Sequence, residues 1–454
     1  MTKFADLGLN PLLMKAIAET GYETPTPIQA QAIPQLLQDK DLLGIAQTGT
    51  GKTAAFALPT LDFLLEYPEK PRARSTRVLV LAPTRELAGQ IAESFKTYSR
   101  YMDCKVETVF GGVNINAQKR ALQGGAHVLV ATPGRLLDLV NQKAVTLKDV
   151  EILILDEADQ MLDMGFIHDL KKIAAHVPKD RQTLLFSATM PTPIADLAQQ
   201  FLDKPVRVSV TPPSTTAERV DQGIYHVSNN DKLDLLYDVL QAPDMDRVLV
   251  FTRTKHGADK VVRKLLAKGM DARAIHGNKS QPQRLKALEA FRAGTCKVLV
   301  ATDIAARGID IDGISHVVNF EVPNVPEQYV HRIGRTARAG RAGLAVSFVA
   351  EDERYYLRDI EKTIGMAIDV LQAPAGCSVR LLPTPDPNER LFKPKGPARS
   401  GNGGGRPQQQ RRSNSAPRPQ GKGNGNGRGK PGDRPKPRGQ GGGNKGRKFE
   451  GARG

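Results

Sequence analysis

Ile152-Leu153-Ile154-Leu155-Asp156-Glu157-Ala158-Asp159 is the stretch on which the fold turns. Its four apolar residues read as a strand buried on both faces, which marks a parallel sheet covered by helices. In such a sheet the ligand-handling loops follow the carboxyl ends of the strands. Asp156 and Glu157 are thereby delivered to the mouth of an α/β sheet, where a metal ligand and a general base can serve nucleotide hydrolysis. Taken alone, the quartet reads equally well as the acidic first turn of a solvated helix, since carboxylates suit a helix N-terminus.

Upstream, Ala46-Gln47-Thr48-Gly49-Thr50-Gly51-Lys52-Thr53 follows another apolar strand, Leu42-Leu43-Gly44-Ile45, and precedes a helix-like stretch from Ala54. It matches a phosphate-binding loop, with Ala46 standing where that pattern usually begins with Gly. The glycines let successive N–H groups, from Thr48 to Thr50, face phosphate oxygens ahead of a positive helix N-terminus. Lys52 is then set to meet the β- and γ-phosphates, and the Thr53 hydroxyl to ligate Mg²⁺ together with Asp156. The two segments jointly point to ATP and Mg²⁺.

At 454 residues the chain has room for two or three domains with substantial cores. No apolar run approaches the ~20 residues that cross a bilayer, and the amino terminus lacks a signal-peptide pattern. A cytoplasmic protein with no membrane partner is expected. Cys104, Cys296 and Cys377 are odd in number and widely spaced, fitting neither a disulfide framework nor a zinc site. They read as inert thiols in a reducing compartment.

The net charge of +17 is concentrated at one end: residues 390–454 hold 18 Lys and Arg against Asp433 and Glu450. The remaining 47 basic and 46 acidic groups nearly cancel. This tail is rich in Gly, Pro, Gln and Asn, with Phe392 and Phe449 as its aromatics. It cannot bury enough apolar surface to offset its ordering entropy, so disorder is expected, with RNA held loosely through counterion release.

Elsewhere, short β-branched runs lead into polar loops. Val78–Leu81 precedes Pro83-Thr84-Arg85, Val128–Val130 precedes Thr132-Pro133-Gly134-Arg135, Val248–Phe251 precedes Thr252-Arg253, and Val298–Val300 precedes Thr302-Asp303. Strands alternating with amphipathic helices imply right-handed βαβ units. The expected architecture is α/β, with two tandem parallel-sheet lobes and a disordered basic C-terminal tail. The boundaries are a first lobe at 1–209, a linker at 210–219 containing Thr211-Pro212-Pro213-Ser214, a second lobe at 220–375 and a tail at 376–454. A helix is expected near Tyr355 to Ile364.

Over roughly residues 4 to 350 these segments, in this order, resemble the DEAD-box RNA helicases of superfamily 2. The resemblance runs through Gly21-Tyr22 to Gln29, the phosphate loop, Pro83–Ala88, Gly111-Gly112, Thr132–Arg135, the Asp156 quartet and Ser187-Ala188-Thr189. It continues through Thr252-Arg253, Gln281–Arg284, Ala301–Asp310 and His331–Arg338. The short amino terminus and the Gly/Arg/Pro/Gln tail are similar to the bacterial RhlE branch. A RecA-like fold for both lobes and ATP-dependent unwinding of short RNA duplexes are what the resemblance implies.

It also implies residue roles. Gln29 would hydrogen-bond the adenine edge, Tyr22 would stack on the base and Phe4 stands at the spacing of the family's upstream Phe. Asp156 would hold Mg²⁺ and Glu157 would activate water. Arg335 and Arg338, three apart and so on one face of a helix, would be arginine fingers, a contribution worth ~10³ to 10⁵ in rate. The chain departs from the family at Ala337, where Gly is usual.

RNA would meet Thr84, Arg85, Gly112, Thr132, Gly134 and Arg135 on the first lobe and Arg253, Gln281, Arg284, Thr302 and Asp303 on the second. Backbone contacts of this kind carry little base information, and the 2′-OH would distinguish RNA from DNA. Gly308 and Asp310 would return from the second lobe to the nucleotide, while Asp159, Ser187, Thr189 and His331 would couple hydrolysis to strand separation. Partners among RNA decay or ribosome assembly complexes are family precedents. An RNA clamp that hydrolyses ATP without unwinding would carry the same motifs, and a DNA translocase would share the phosphate loop and the Asp-Glu pair.

Overall fold

The computed structural model describes residues 3–386 apart from 48, 211–219, 307–312, 338–342 and 375. Thr48, Gly308, Asp310 and Arg338 lie outside the described residues, as do the linker from 211 to 219 and the tail from 387 onward. All described residues belong to one unit, Met1–Gly396.

Two seven-stranded sheets organise it, and every strand pairing in them is parallel among the described residues. The first contains β1 (Leu42–Ile45), β2 (Thr76–Leu81), β3 (Val106–Val109), β4 (Ala126–Ala131), β5 (Ile152–Leu155), β6 (Gln182–Ser187) and β7 (Val206–Ser209). Their spatial order is β3-β4-β2-β5-β6-β1-β7. The second contains β8 (Asp221–His226), β9 (Val248–Thr252), β10 (Ala272–Ile275), β11 (Val298–Thr302), β12 (His316–Asn319), β13 (Leu344–Val349) and β14 (Asp369–Val370). Their order is β10-β11-β9-β12-β13-β8-β14. These are tandem RecA-like α/β lobes.

Side-chain alternation divides each lobe's core into two layers. Val78 and Val80 of β2 enter one cluster with Phe56, Ile91 and Phe186, whereas Leu79 and Leu81 enter the other with Leu136, Met161 and Leu170. In β9, Leu249 and Phe251 face Phe291 and Ile333, while Val248 and Val250 face Leu235 and Leu265. Full burial of each such side chain is worth about 1.5–3 kcal/mol, so the central strands are fixed by both faces at once.

The second sheet reaches Val370, beyond the last strand read in the sequence, because an exposed two-residue edge strand leaves no apolar run to detect. The helix expected near Tyr355 to Ile364 is present as Arg354–Ile364. No helix among the described residues is long and apolar enough to cross a membrane.

Candidate functional site

The phosphate loop joins β1 to the helix Lys52–Glu66, whose N-cap Gly51 has φ +89°. A Cβ at Gly51 would fall 2.5 Å from Gln29 Nε2, so the turn admits only glycine. Gln29 is 4 % exposed and ties this loop to its own helix start. Its Oε1 accepts from the Thr26 N–H at 2.8 Å, and its Nε2 donates to the Gly51 carbonyl at 3.1 Å.

Above the loop opens a cavity of about 540 Å³, whose lining includes Tyr22, Gly49, Lys52, Thr53, Asp156 and Glu157. Tyr22 is exposed there, and Phe4 lies behind it, buried, with the rings stacked 6.2 Å apart at 18°. Phe4 therefore supports the platform rather than facing the cavity. Thr50 closes the loop by donating its hydroxyl to the Gln47 carbonyl at 2.7 Å.

Asp156 and Glu157 are each 2 % exposed. The Asp156 N–H donates to Leu81 O at 3.0 Å, extending the β5–β2 pairing by one residue and fixing where the carboxylate stands. Glu157 then adopts a left-handed conformation, φ 53° and ψ 54°, which turns the chain into the helix Ala158–Asp163. That conformation costs a residue with a Cβ roughly 1–2 kcal/mol. Its carboxylate lies 3.8 Å from Lys52 Nζ and accepts from Gln160 Nε2.

Burial pushes the Asp156 carboxyl up to about 7; Lys52 opposes that rise and Glu157 adds to it. Lys52 Nζ is itself buried without a hydrogen-bond partner. A buried ammonium with unused donors fits a phosphate, and a buried carboxylate short of cationic partners fits a metal ion. No group of three or more His, Cys, Asp and Glu that would hold a metal unaided exists among the described residues.

Asp159 links this site to the end of β6. Its Oδ2 accepts from the Ala188 N–H at 3.1 Å, the Thr189 N–H at 2.9 Å and the Thr189 hydroxyl at 2.9 Å. Ser187 Oγ donates to Thr189 O at 2.7 Å, closing the segment on itself.

The other half of the first sheet, β3-β4-β2, carries the segments expected to meet RNA. Thr84 caps the helix Arg85–Tyr98 by accepting from the Leu87 N–H at 3.2 Å. Arg85 lies against Gly112, where an added Cβ would come within 2.0 Å of its Nη1. Thr132 stands at the N-cap of the helix Pro133–Asn141, with Gly134 in its first turn. Arg135 Nη1 donates to Val113 O and Gln118 Oε1, both at 3.2 Å.

On the second lobe the expected RNA residues are more engaged internally than their sequence indicates. Gln281 Nε2 and Arg284 Nη2 donate to the Glu86 carboxylate of the first lobe at 3.1 and 2.8 Å. Arg253 is drawn inward onto Glu353 and lies 5.9 Å from the Tyr356 ring centre. Thr302 ends β11, and Asp303 receives both Nε and Nη2 of Arg332, at 2.5 and 2.8 Å. Glu86 and Arg332 were not singled out from the sequence. Each sits beside a residue read for another role, and each is buried, at 7 % and 1 % exposure.

Arg335 lies beyond the end of the helix rather than on its face, and its expected companion Arg338 is outside the described residues. The helix Pro326–Ile333 ends at Gly334. Thr336 then donates its hydroxyl to Ile314 O and Ser315 O at 2.6 and 3.0 Å, pulling the chain away, and Ala337 is left-handed with φ 52°. Arg335 is buried, and its Nε donates to His331 O at 3.2 Å.

Twin RecA-like sheets, with a phosphate cradle on one half of the first and polar and basic loops on the other, define an ATP-driven nucleic-acid helicase. Residues 26–197 match the DEAD/DEAH box helicase family and residues 231–340 the helicase conserved C-terminal domain. The chain belongs to the DEAD-box ATP-dependent RNA helicases. It is similar to the DEAD-box ATP-dependent RNA helicase CshA of Bacillus cereus, at 45 % identity over 82 % of this chain and 70 % of the relative. The CshA of Geobacillus kaustophilus is 46 % identical over 82 % and 79 %. Among solved structures, S. cerevisiae Dbp5 bound to RNA and ADP BeF3 superposes with a TM-score of 0.70 at 32 % identity, covering 82 % of this chain and 96 % of Dbp5. The protein is an RNA-dependent ATPase and helicase, and it binds RNA.

Proposed function

We propose that ATP hydrolysis here is carried by Lys52, Asp156 and Glu157 in the first lobe and completed by Arg335 and Arg338 of the second. The observation that carries this reading is the meeting of a buried unsatisfied Lys52, a left-handed Glu157 and a buried Asp156 in one cavity. Thr48, Gly49, Thr50 and Gly51 cradle the phosphates, while Gln29 and Tyr22 read the base. Asp156 and Thr53 would hold Mg²⁺, which when bound would supply charge neutralisation to the phosphates. Glu157 orients and deprotonates the attacking water. Gly308 and Asp310 reach the nucleotide from the second lobe.

RNA lies along the carboxyl edges of β3-β4-β2 and β10-β11-β9, held by its sugar-phosphate backbone. Asp159, Ser187 and Thr189 transmit the state of the nucleotide to that edge, with His331 contributing from the second lobe. That Dbp5, similar in fold, is bound to RNA and ADP BeF3 together supports a chain that holds both ligands at once. The basic tail tethers RNA, and the protein acts in the cytoplasm on RNA decay or ribosome assembly complexes. The Gly/Arg/Pro/Gln composition of the tail favours an RhlE-like branch, although the similar relatives carry the CshA name.

In ATPase assays Glu157→Gln is expected to lower RNA-stimulated turnover by about 10²-fold or more with ATP binding retained. Turnover at the wild-type rate would remove Glu157 from the role of base. RNA is expected to stimulate turnover and DNA not to; equal stimulation would defeat the RNA assignment. Deleting 390–454 is expected to flatten the salt dependence of RNA affinity and spare saturated turnover. An unchanged slope would rule out the tether.

A further inference from the structure

The strand order of the second sheet is that of the first with every strand number raised by seven. β8 therefore holds the place of β1, β12 that of β5 and β13 that of β6. The ends match as well: Ile45 pairs with Ser187 where β1 meets β6, and His226 with Val349 where β8 meets β13. The helix after β1 begins at Lys52, and the helix after β8, Lys232–Val239, begins at Lys232. Lys232 is thus the topological twin of the phosphate-loop lysine.

Its surroundings are rebuilt. The connection Val227-Ser228-Asn229-Asn230-Asp231 has no glycine, and Ser228 Oγ closes it by donating to Asp231 Oδ2 at 2.7 Å. It cannot open into the row of N–H groups that a polyphosphate needs. Phe320 takes the place of Asp156, and its carbonyl accepts from Lys232 Nζ at 3.0 Å. A second carbonyl, of Phe348, accepts at 2.9 Å.

The third partner is the Glu353 carboxylate, 1 % exposed. The same carboxylate accepts from the Arg253 guanidinium and, at 3.1 Å, from the Ala350 N–H. An ammonium, a guanidinium and a backbone N–H converging on one pair of oxygens form the donor set of an oxyanion site. Beside it opens a cavity of about 460 Å³, whose lining includes Lys232, Arg253, Phe320 and Asp352.

We propose that the second lobe contains an oxyanion subsite formed by Lys232, Arg253 and the Ala350 N–H, and that Glu353 fills it as an internal ligand. The carboxylate neutralises the buried cations and bars nucleotide from this lobe. The subsite has room for one small oxyanion in place of the carboxylate, not for a triphosphate.

The test is chemical rescue of the full chain without nucleotide, read by thermal unfolding across an inorganic phosphate titration. Glu353→Ala is expected to lower the wild-type Tm in the absence of phosphate. It should regain about 2–4 °C in a saturable manner as phosphate is added. The wild type, and a double variant carrying Lys232→Met with Glu353→Ala, should show only their shared smaller response. The inference is overturned if phosphate stabilises Glu353→Ala no more than the wild type, or equally well once Lys232 is gone. If Glu353→Ala is recovered only by refolding, a phosphate-dependent yield supports the inference and a phosphate-independent yield overturns it. Glu353→Gln, which keeps the shape and loses the charge, is expected to fold and to stay unresponsive; a response equal to that of the alanine variant would show that the anion binds elsewhere.

Discussion

Arg284 of the second lobe donates to Glu86 of the first at 2.8 Å, with both side chains less than a tenth exposed. Gln281 donates to the other oxygen of the same carboxylate. One acidic residue beside Arg85 therefore receives two donors from the other lobe.

Truncating one member of a buried pair leaves the other charge uncompensated, at a cost of about 3–5 kcal/mol. Glu86→Ala is expected to lower the unfolding temperature and, by calorimetry, to resolve the lobes into separate transitions. Glu86→Gln, which still accepts hydrogen bonds, should lie between. A single transition at the wild-type temperature in the alanine variant would show that the pair does not join the lobes.

Asp159→Ala strands the N–H groups of Ala188 and Thr189 that now donate to its carboxylate. Both donors are only partly buried, so each lost hydrogen bond to the carboxylate costs about 1 kcal/mol, and together they loosen the segment after β6. Unwinding of a short RNA duplex is expected to fall by about tenfold or more, and RNA-stimulated ATP turnover by less. Equal losses in the two assays would assign Asp159 to the hydrolytic step alone.

Ala337 holds φ 52° between the two arginines of its motif. For a residue with a Cβ this costs roughly 1–2 kcal/mol, whereas glycine would add about 0.5–1 kcal/mol of unfolded-state entropy. Ala337→Gly is therefore expected to raise the unfolding temperature slightly or leave it unchanged. A clear fall would mean that the turn is not strained.

Burial pushes the Cys104 thiol up to about 12 and the Cys296 thiol up to about 11, the latter donating its S–H to Val298 O. At pH 8 their thiolate fractions are then ~10⁻⁴ and ~10⁻³. Native protein treated with iodoacetamide should leave both unlabelled until denaturant is added, with labelling rising about tenfold per pH unit below those values. Prompt labelling of Cys104, which is partly buried, at pH 8 would contradict the upward shift of its thiol.

Segments whose chemistry is local were readable from the chain alone. Gly49, Gly51 and Lys52 fix a turn and a charge within a few residues, and Ile152–Leu155 declares burial on both faces. What escaped lies between distant segments. Glu86 and Arg284 are 198 residues apart, and nothing in either segment names the other. Arg332 reads as one more cation in a basic motif until Asp303 is found against it. Phe4 was read by family spacing as a nucleotide contact, yet it packs behind Tyr22. The end of the helix before Arg335 depended on Thr336 finding carbonyls ahead of β12, a tertiary event with no periodic trace.

The Gln29 amide holds the Thr26 N–H with one atom and the Gly51 carbonyl with the other. Any ligand edge that engages this amide pulls on the floor of the phosphate cradle. A mismatched ligand then does more than forfeit one contact, because it leaves the catalytic loop under a different tension. On the proposed reading of Gln29 as the base contact, selectivity at this position would be written into the speed of turnover as well as the tightness of the grip.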